Sequence, residues 1–264
     1  GPDEDVVVEP RKIEWPSDGE LVFVSNEDSG DVSIISSATN QVVASLEVGR
    51  RPRGVKVSSS GDTVYVALSG SPKCPPSMSD EDCASKETDK SQDGIAVINV
   101  LTATVERVLP GGSDPEQFDL SADGHRLIVS NEDSDTATIV DIETGQILLT
   151  AEVGREPEGV RVSPDGRLVY ITGETDHDVT VLNTENGEIF ASIAVGLRPR
   201  DVVFSPDSSL AYVSAELGHS IAVVDVLSNE VTATIQLADT AKPVGMAMRS
   251  DGKYLYVANG RGKT

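Results

Sequence analysis

The sequence predicts an all-β protein, a β-propeller built from four-stranded antiparallel blades. The first observation is a repeated motif in which a proline leads into an alternating strand and a Ser/Asp/Gly turn, at residues 52–58, 157–163 and 199–205. The second is the spacing of these copies, about 42 residues, with four short alternating runs in each period. Such repeats are typical of propellers, in which every copy forms one blade.

The copy that begins at Pro157 shows the elements of one blade in chain order. Its central strand A, strand B, strand C and outer strand D are predicted at residues 159–163, 168–172, 179–183 and 188–195. Asn186 and Gly187 supply the positive φ values that a two-residue hairpin requires. Pro10, Pro115 and Pro243 mark further copies, so A strands are predicted near residues 12, 54, 117, 159, 201 and 245.

The ends of the repeat pattern leave the number of blades open. About six blades are represented in a single domain over residues 3–264, with a loop insertion at residues 70–93 between strands B and C of the second blade. Residues 5–8 read as a strand D, whereas residues 253–259 read as a strand B with no strand C or D after it. Because open sheet edges are a liability, either residues 3–8 complete a sixth blade or further residues build a seventh. We expect seven blades in the complete protein, with the domain incomplete at its C-terminus.

Composition argues against two classes of partner. The chain of 264 residues is 38% hydrophobic, and it has no apolar stretch near the roughly 20 residues of a membrane helix. Its formal net charge of −23 would repel nucleic acids and anionic membrane surfaces over most of the molecule. We therefore expect neither a nucleic-acid partner nor a membrane span.

Several strands carry a recognisable pattern. Residues 21–26, 64–67 and 255–259 read LVFVSN, VYVA and LYVAN, which resemble the repeat of the YVTN family of β-propellers. The residues around the prolines, with Ser-Asn-Glu-Asp at residues 25–28 and 130–133, are similar to the branch associated with catabolism that depends on pyrroloquinoline quinone (PQQ). The resemblance covers nearly the whole chain apart from the insertion. It implies a seven-bladed, exported protein near quinoprotein oxidation pathways, without implying any particular chemistry.

Charged residues flank the prolines and differ in sign between blades. With strand A innermost, the DA loops that carry the prolines and the BC loops share one face, and loops on rigid scaffolds commonly bind. The flanking residues are Arg51, Arg53, Asp114, Glu116, Glu156, Glu158, Arg198, Arg200 and Lys242. This face suits a protein partner that carries both signs, or a small anionic ligand held by Arg53 and Arg200. Alternatively, the charges pair with one another around the mouth as weak, solvated ion pairs.

A second set of charges follows strand B. Glu27, Glu132, Glu174 and Glu216 share one register, backed by Asp28, Asp133 and Asp176. Clustered carboxylates can hold calcium, but the chain lacks an Asp-x-Asp-x-Asp-Gly loop. We expect an acidic docking rim with no cofactor or metal. His177 and His219 also share a register on adjacent blades, too far apart to share zinc, so we expect them to be polar loop residues.

Cys74 and Cys83 are the only cysteines of the sequence, and both lie in the insertion. Their spacing is not that of a CxxC motif, and two sulfurs alone do not form a zinc site. A disulfide that staples the loop is the simpler prediction, and it indicates an oxidising compartment, the periplasm or the exterior. The alternative is a pair of free thiols on an exposed loop.

The linear motifs of common enzymes are absent from the sequence, which has no GxSxG elbow, no glycine-rich phosphate loop and no HExxH. We therefore expect an exported, non-enzymatic propeller that presents the charged face to a partner, such as a quinoprotein or cytochrome of a periplasmic oxidation pathway. Propeller enzymes assemble their sites from several blades. The alternative is therefore a lactonase-like or amine-dehydrogenase-like enzyme acting at the central mouth.

Overall fold

The computed structural model describes residues 14–15, 20–74 and 78–260, which fold into successive antiparallel sheets. Blade 1 contains β1 (Leu21–Asn26), β2 (Asp31–Ser36) and β3 (Gln41–Glu47). Blade 2 contains β4 (Pro52–Val57), β5 (Thr63–Leu68), β6 (Gly94–Asn99) and β7 (Thr104–Leu109). Blade 3 contains β8 (Pro115–Leu120), β9 (Arg126–Asn131), β10 (Thr136–Asp141) and β11 (Ile147–Glu152).

Blade 4 contains β12 (Pro157–Val162), β13 (Leu168–Gly173), β14 (Asp178–Asn183) and β15 (Ile189–Ala194). Blade 5 contains β16 (Pro199–Phe204), β17 (Leu210–Ala215), β18 (Ser220–Asp225) and β19 (Glu230–Gln236), and blade 6 contains β20 (Pro243–Met248) and β21 (Leu255–Asn259). Short helical segments lie in two BC loops: α1 (Asp80–Ala84), and 3₁₀ turns at Lys90–Gln92 and Glu132–Ser134. Over the described ranges, no helix is long and apolar enough to cross a membrane.

The prediction of an all-β propeller is confirmed. In blades 2 to 5 the four strands follow chain order, and the first strand is innermost, since β4, β8, β12, β16 and β20 contact one another in sequence. Five predicted A strands correspond to these five strands. Pro10, the strand A near residue 12 and the strand at residues 5–8 lie outside the described residues.

Neighbouring blades share apolar clusters, and strand B contributes to the clusters on both of its sides. In blade 4, Val169 and Ile171 pack against blade 3, whereas Tyr170 packs against blade 5. The Tyr170 ring meets Phe204 edge to face, with ring centroids 4.9 Å apart. Burying one large apolar side chain contributes about 1.5–3 kcal/mol, so these clusters hold the ring of blades together.

A serine near the end of strand B joins each of three blades to the next. Ser25 donates to the carbonyl oxygen of Arg53, Ser130 to that of Glu158 and Ser214 to that of Val244. The acceptor is in each case the second residue of the following strand A. These bonds give a physical role to the hydroxyl residue of the YVTN-like pattern, because they fix the start of the central strand from which the charged side chains project.

Glycine two positions after the proline lets the central strands approach closely. A Cβ atom on Gly159 would lie 2.5 Å from the carbonyl oxygen of Arg200, and one on Gly54 would lie 2.7 Å from Gln117 Oε1. Gly245 has the same position in blade 6, but a Cβ atom there would meet nothing within 4 Å. In the described part of the chain, blade 6 therefore lacks a neighbour on the side where blades 2 and 4 each have one.

Strand B shows the same asymmetry at both ends of the series of blades. Tyr170 and Tyr212 pack towards the following blade, whereas Tyr256, at the same register, is 58% exposed. Val64 of blade 2 is fully buried against blade 1, whereas Val22, its counterpart in blade 1, is 47% exposed. Within the described ranges, blades 1 and 6 thus each present an apolar face that no other described blade covers.

Candidate functional site

The DA and BC loops form a funnel of about 930 Å³ on one face of the propeller. A central channel of about 400 Å³ shares Arg53, Glu116, Glu158 and Arg200 with the funnel lining and continues between the A strands. Most of the charged residues that the sequence predicts for one face line this funnel, so their geometry decides what it can bind.

In blades 2 to 5, the residue before the proline enters strand A through an unusual backbone conformation. Arg51, Asp114, Glu156 and Arg198 have φ values of 45°, 54°, 51° and 57°. A residue before proline avoids the right-handed helical region, and L-residues seldom adopt positive φ. Such a conformation persists when surrounding contacts hold it, and the ion pairs described next supply contacts for Arg51, Asp114 and Arg198.

Arg53 is the centre of an ion-pair cluster between blades 2 and 3. Its guanidinium contacts Glu116, lies 2.9 Å from Glu132 Oε2 and lies 3.5 Å from Asp114 Oδ1. Glu116 and Asp114 are buried, and 14% of the Arg53 side chain is exposed. Burial raises the pKa of Asp114, although Ser69 and Arg53 favour its charged form.

Arg198 and Arg200 form the matching cluster between blades 4 and 5. Arg200 lies 2.9 Å from Glu158 Oε1 and contacts Glu174, which also contacts Arg198. Arg198 Nε lies 3.5 Å from Glu216 Oε2. Glu158, Glu174 and Glu216 are all buried, so two residues of the predicted acidic rim, Glu174 and Glu216, and one predicted partner-binding residue, Glu158, are removed from water.

Glu158 combines burial with an open position in the funnel. Its side chain is 9% exposed, and burial raises the pKa of Glu158 to about 8. The positive charge of Arg200 opposes this rise, and the negative charge of Glu174 adds to it. Oε1 faces Arg200, whereas Oε2 has no hydrogen-bond partner among the described residues.

The sequence left open whether the charges around the mouth form weak, solvated ion pairs. The pairs in the structure differ from that alternative because they are buried. Blades 3 and 4 supply acidic residues at their proline loops, and the arginines of blades 2 and 5 reach across the blade boundaries to pair with them. Because ion pairs are stronger away from water and costly to break there, Arg53 and Arg200 are structural partners of buried carboxylates. Sequence reasoning did not detect this burial, since it depends on how far neighbouring A strands converge.

The insertion lies beside the funnel and is attached to blade 1. Arg51 donates to the carbonyl oxygen of Ser71 at 2.8 Å and lies 2.9 Å from Glu27 Oε1. Lys73 Nζ lies 3.0 Å from Glu27 Oε2 and 2.6 Å from Asp28 Oδ1. Burial opposes ionisation of Glu27, but hydrogen bonds from Lys73 and Arg51 outweigh it and lower the pKa of Glu27.

A second attachment joins the insertion to blade 3. Lys90 contacts Asp133 and donates to Ser71 Oγ at 2.7 Å. Asp93 accepts a backbone hydrogen bond from Asp114 at 3.0 Å. Burial opposes ionisation of Asp133, but hydrogen bonds from Lys90 and Ser71 lower its pKa. Three predicted rim residues, Glu27, Asp28 and Asp133, therefore hold the insertion in place.

The predicted disulfide between Cys74 and Cys83 is confirmed, with Cα atoms 5.6 Å apart. Cys83 lies in α1, whose N-cap Ser79 accepts a hydrogen bond from the backbone of Asp82. Both cysteines contribute to the funnel lining. The disulfide therefore closes the insertion at the edge of the funnel.

Other predicted residues lie at the margin of the site. Glu156 is exposed, and its carboxylate contacts Thr175. Lys242 is half-buried and lies outside the described funnel lining. His177 and His219 occupy a positive-φ position in the BC loops, and their Nδ1 atoms hydrogen-bond to backbone carbonyl oxygens. Among the described residues, no group of three or more His, Cys, Asp or Glu side chains is arranged to hold a metal ion.

Sequence reasoning missed a set of charges inside the channel. Lys56 Nζ lies 3.3 Å from Asp119 Oδ1, and Arg161 lies 3.5 Å from Asp201. Asp119 Oδ2 also accepts a hydrogen bond from the backbone of Val162 in the next blade, at 2.9 Å. Burial lowers the pKa of Lys56, and the charge of Asp119 opposes that shift. The sequence did contain a signal for these charges, because charged residues occupy alternate positions of strands that are predicted to be innermost.

Comparisons with known proteins agree with this architecture. A family model described as YNCE-like beta-propeller matches residues 86–259. The chain is similar in structure to Kuenenia stuttgartiensis hydrazine synthase, with a TM-score of 0.74 and 19% identity over 90% of this chain and 77% of that chain. A functionally unknown protein from Desulfotomaculum acetoxidans DSM 771 has a TM-score of 0.75 and 16% identity, over 91% and 73%. These two likenesses show the fold alone, and a search of curated protein sequences gave no match.

Proposed function

The chain belongs to the YNCE-like β-propeller family, of the YVTN type, and from this premise we propose that it is a non-enzymatic scaffold that binds a protein partner through its funnel face. The observation that carries the proposal is the network of ion pairs between blades, which fixes the charged side chains before any partner arrives. A preorganised surface loses little conformational entropy on binding.

A protein partner fits this face better than a small anion. Arg53 and Arg200 already pair with buried carboxylates. An anion that bound these arginines would have to displace the carboxylates, which would then be buried without a compensating positive charge. The rim also offers contacts that suit a protein surface: Glu156 is exposed, and Leu197 and Leu217 on adjacent loops of blade 5 are exposed apolar side chains. Mixed apolar and charged contacts are typical of transient interfaces.

The proposal includes an oxidising compartment, the periplasm or the exterior, because the Cys74–Cys83 disulfide is favoured there. The partner that we propose is a quinoprotein or cytochrome of a periplasmic oxidation pathway. Support for this choice comes from the loop sequences similar to the branch associated with PQQ-dependent catabolism, at residues 25–28 and 130–133.

One observation favours a second candidate, an enzyme. A buried carboxyl whose pKa is near 8, at the centre of an open funnel, suits general acid–base catalysis. A lactonase-like or amine-dehydrogenase-like activity would then depend on Glu158. Lactone hydrolysis and amine oxidation should be assayed with the purified protein and with Glu158→Gln. Turnover that disappears in the variant would support the enzyme, and absence of turnover by the wild type would oppose it.

We also propose that the complete propeller has seven blades. Tyr256 and Val22 are exposed at registers that are buried between blades elsewhere, and Gly245 lacks a Cβ atom and has open space beside it, which leaves room for a close neighbour. A further blade between blades 6 and 1 would cover both faces with the same kind of contact that joins the described blades.

The scaffold is tested with immobilised protein and the periplasmic and secreted fractions of the source organism. Glu156→Lys and Leu217→Asp alter the rim of the funnel, and Asp123→Lys alters an exposed AB turn at the opposite end of the blades. We expect the wild type and Asp123→Lys to retain a quinoprotein or cytochrome. Both rim variants should lose this partner. The proposal would be contradicted if the wild type and all three variants retained the partner equally, or if the wild type retained neither a quinoprotein nor a cytochrome.

A further inference from the structure

The funnel contains more carboxylates than cations, and its cations are already paired. Its described lining includes eight Asp or Glu residues and five Arg or Lys residues. Each of those five basic side chains lies within ion-pair distance of at least one carboxylate. The described lining therefore carries more acidic than basic groups, and this balance favours a cation over an anion.

The excess of acidic groups lies between blades 3 and 4. All basic residues of the described lining come from blade 2 with its insertion or from blade 5, whereas blades 3 and 4 contribute carboxylates. Arg53 approaches Glu116 and Glu132 from one side, and Arg200 approaches Glu158 from the other. The boundary between blades 3 and 4 thus has carboxylates on both of its sides and no cation of its own in the described lining.

Glu158 provides the specific acceptor at this boundary. Its side chain is nine-tenths buried, yet the residue lines both the funnel and the channel below it. Since Oε1 faces Arg200, Oε2 is the oxygen that remains for a ligand, and it becomes a full acceptor when the carboxyl loses its proton. A donor from a ligand would then supply the hydrogen bond that Oε2 lacks among the described residues.

We propose that the funnel accepts the primary ammonium group of a lysine side chain of the protein partner, held between blades 3 and 4 by Glu158, Glu116 and Glu132. This inference rests on the proposed scaffold function and names the chemistry of its contact. An ammonium group has three donors, which suits three separate carboxylates. The planar fork of arginine instead matches a single carboxylate through two parallel hydrogen bonds.

Binding of the ammonium is coupled to release of a proton. Glu158 faces Arg200 and Glu174 from blades 5 and 4, and Arg53 and Glu132 from blades 2 and 3. Near pH 7 its carboxyl is largely protonated, because its pKa is about 8. The incoming cation favours the carboxylate, so the Glu158 proton leaves to the buffer as the lysine binds.

The test is isothermal titration calorimetry at pH 7, with the peptide acetyl-Gly-Gly-Lys-Gly-Gly-amide and a control peptide that has norleucine in place of lysine. Titration in phosphate and in Tris, whose ionisation enthalpies differ, gives the number of protons released. We expect the lysine peptide alone to bind, with release of up to about one proton. Glu158→Gln should bind at least tenfold more weakly and release no proton, whereas Asp123→Asn, in the exposed AB turn at the opposite end of the blades, should behave like the wild type.

Binding that is equal in wild type and Glu158→Gln, binding without proton release, or no binding by the wild type would each overturn the lysine inference. Thermal melting shows whether Glu158→Gln remains folded, and Glu116→Gln tests the same site from the other blade. The scaffold proposal fails separately: a partner captured through the rim by a protein that ignores the lysine peptide would preserve the scaffold and reject the lysine contact.

Discussion

Arg200 of blade 5 lies 2.9 Å from Glu158 of blade 4, and less than a fifth of either side chain is exposed. The pair joins two blades whose proline loops carry opposite charge. Removing one member of a buried pair leaves the other as an uncompensated charge, which costs more than the pair itself contributes. The charges of the funnel therefore contribute to the stability of the fold.

At pH 9, above the pKa of about 8 of Glu158, Arg200→Met should lower the free energy of unfolding by about 3–5 kcal/mol, the usual cost of breaking a buried pair. Arg155→Met is the matched control, because Arg155 pairs with Asp176 at the surface, where ion pairs contribute little. Urea denaturation followed by circular dichroism measures both. A change for Arg200→Met as small as that for Arg155→Met would show that the pair is effectively solvated.

The free energy of unfolding should decrease as pH rises from about 4.5 to about 8 because of Glu158. Its pKa is raised in the folded protein to about 8 from the ordinary value of 4.5, so the folded state binds more protons than the unfolded state in this interval. Bound protons that are lost on unfolding make stability fall with rising pH. Glu158→Gln should flatten this dependence in urea titrations at pH 5, 6.5 and 8. An unchanged slope in the variant would contradict the assignment.

Gly159→Ala should destabilise the protein by about 1–3 kcal/mol, the usual cost of overpacking. The new Cβ atom would meet the backbone of Arg200 at 2.5 Å, whereas Gly245→Ala has open space and should be nearly neutral. Chemical denaturation of both variants gives the comparison.

The same two variants test the seventh blade when they are made in a longer form of the protein. If a further blade packs against blade 6, Gly245→Ala becomes destabilising there to a similar extent as Gly159→Ala. A neutral Gly245→Ala in the longer protein would oppose the seven-blade proposal.

The disulfide should be present in protein prepared without reductant. Peptide mass mapping is expected to find Cys74 linked to Cys83, which are 9 positions apart, and a thiol reagent should leave the native protein unlabelled. Closing so short a loop stabilises by about 2–3 kcal/mol relative to the unfolded chain, so Cys74→Ser combined with Cys83→Ser should unfold at lower urea. Labelling of both thiols in the native protein would oppose an oxidising compartment.

Much of the fold was predictable because it depends on local, periodic signals. The proline, the alternating strand and the Ser/Asp/Gly turn recur in each copy, and β4, β8, β12, β16 and β20 begin at the predicted prolines. The pairing of Cys74 with Cys83 was predictable because the sequence contains no other cysteine.

The sequence by itself determined the class of fold, the order of the strands and the face on which the charged loops meet, since strand periodicity and repeat spacing are properties of neighbouring residues. The tertiary structure alone decided that Arg53 and Arg200 are buried with carboxylates of the adjacent blades, that Lys73 and Lys90 hold the insertion, and that burial raises the pKa of Glu158. These properties depend on distances between side chains about one or more repeats apart in the sequence, and on the exclusion of water between blades, which no single repeat encodes.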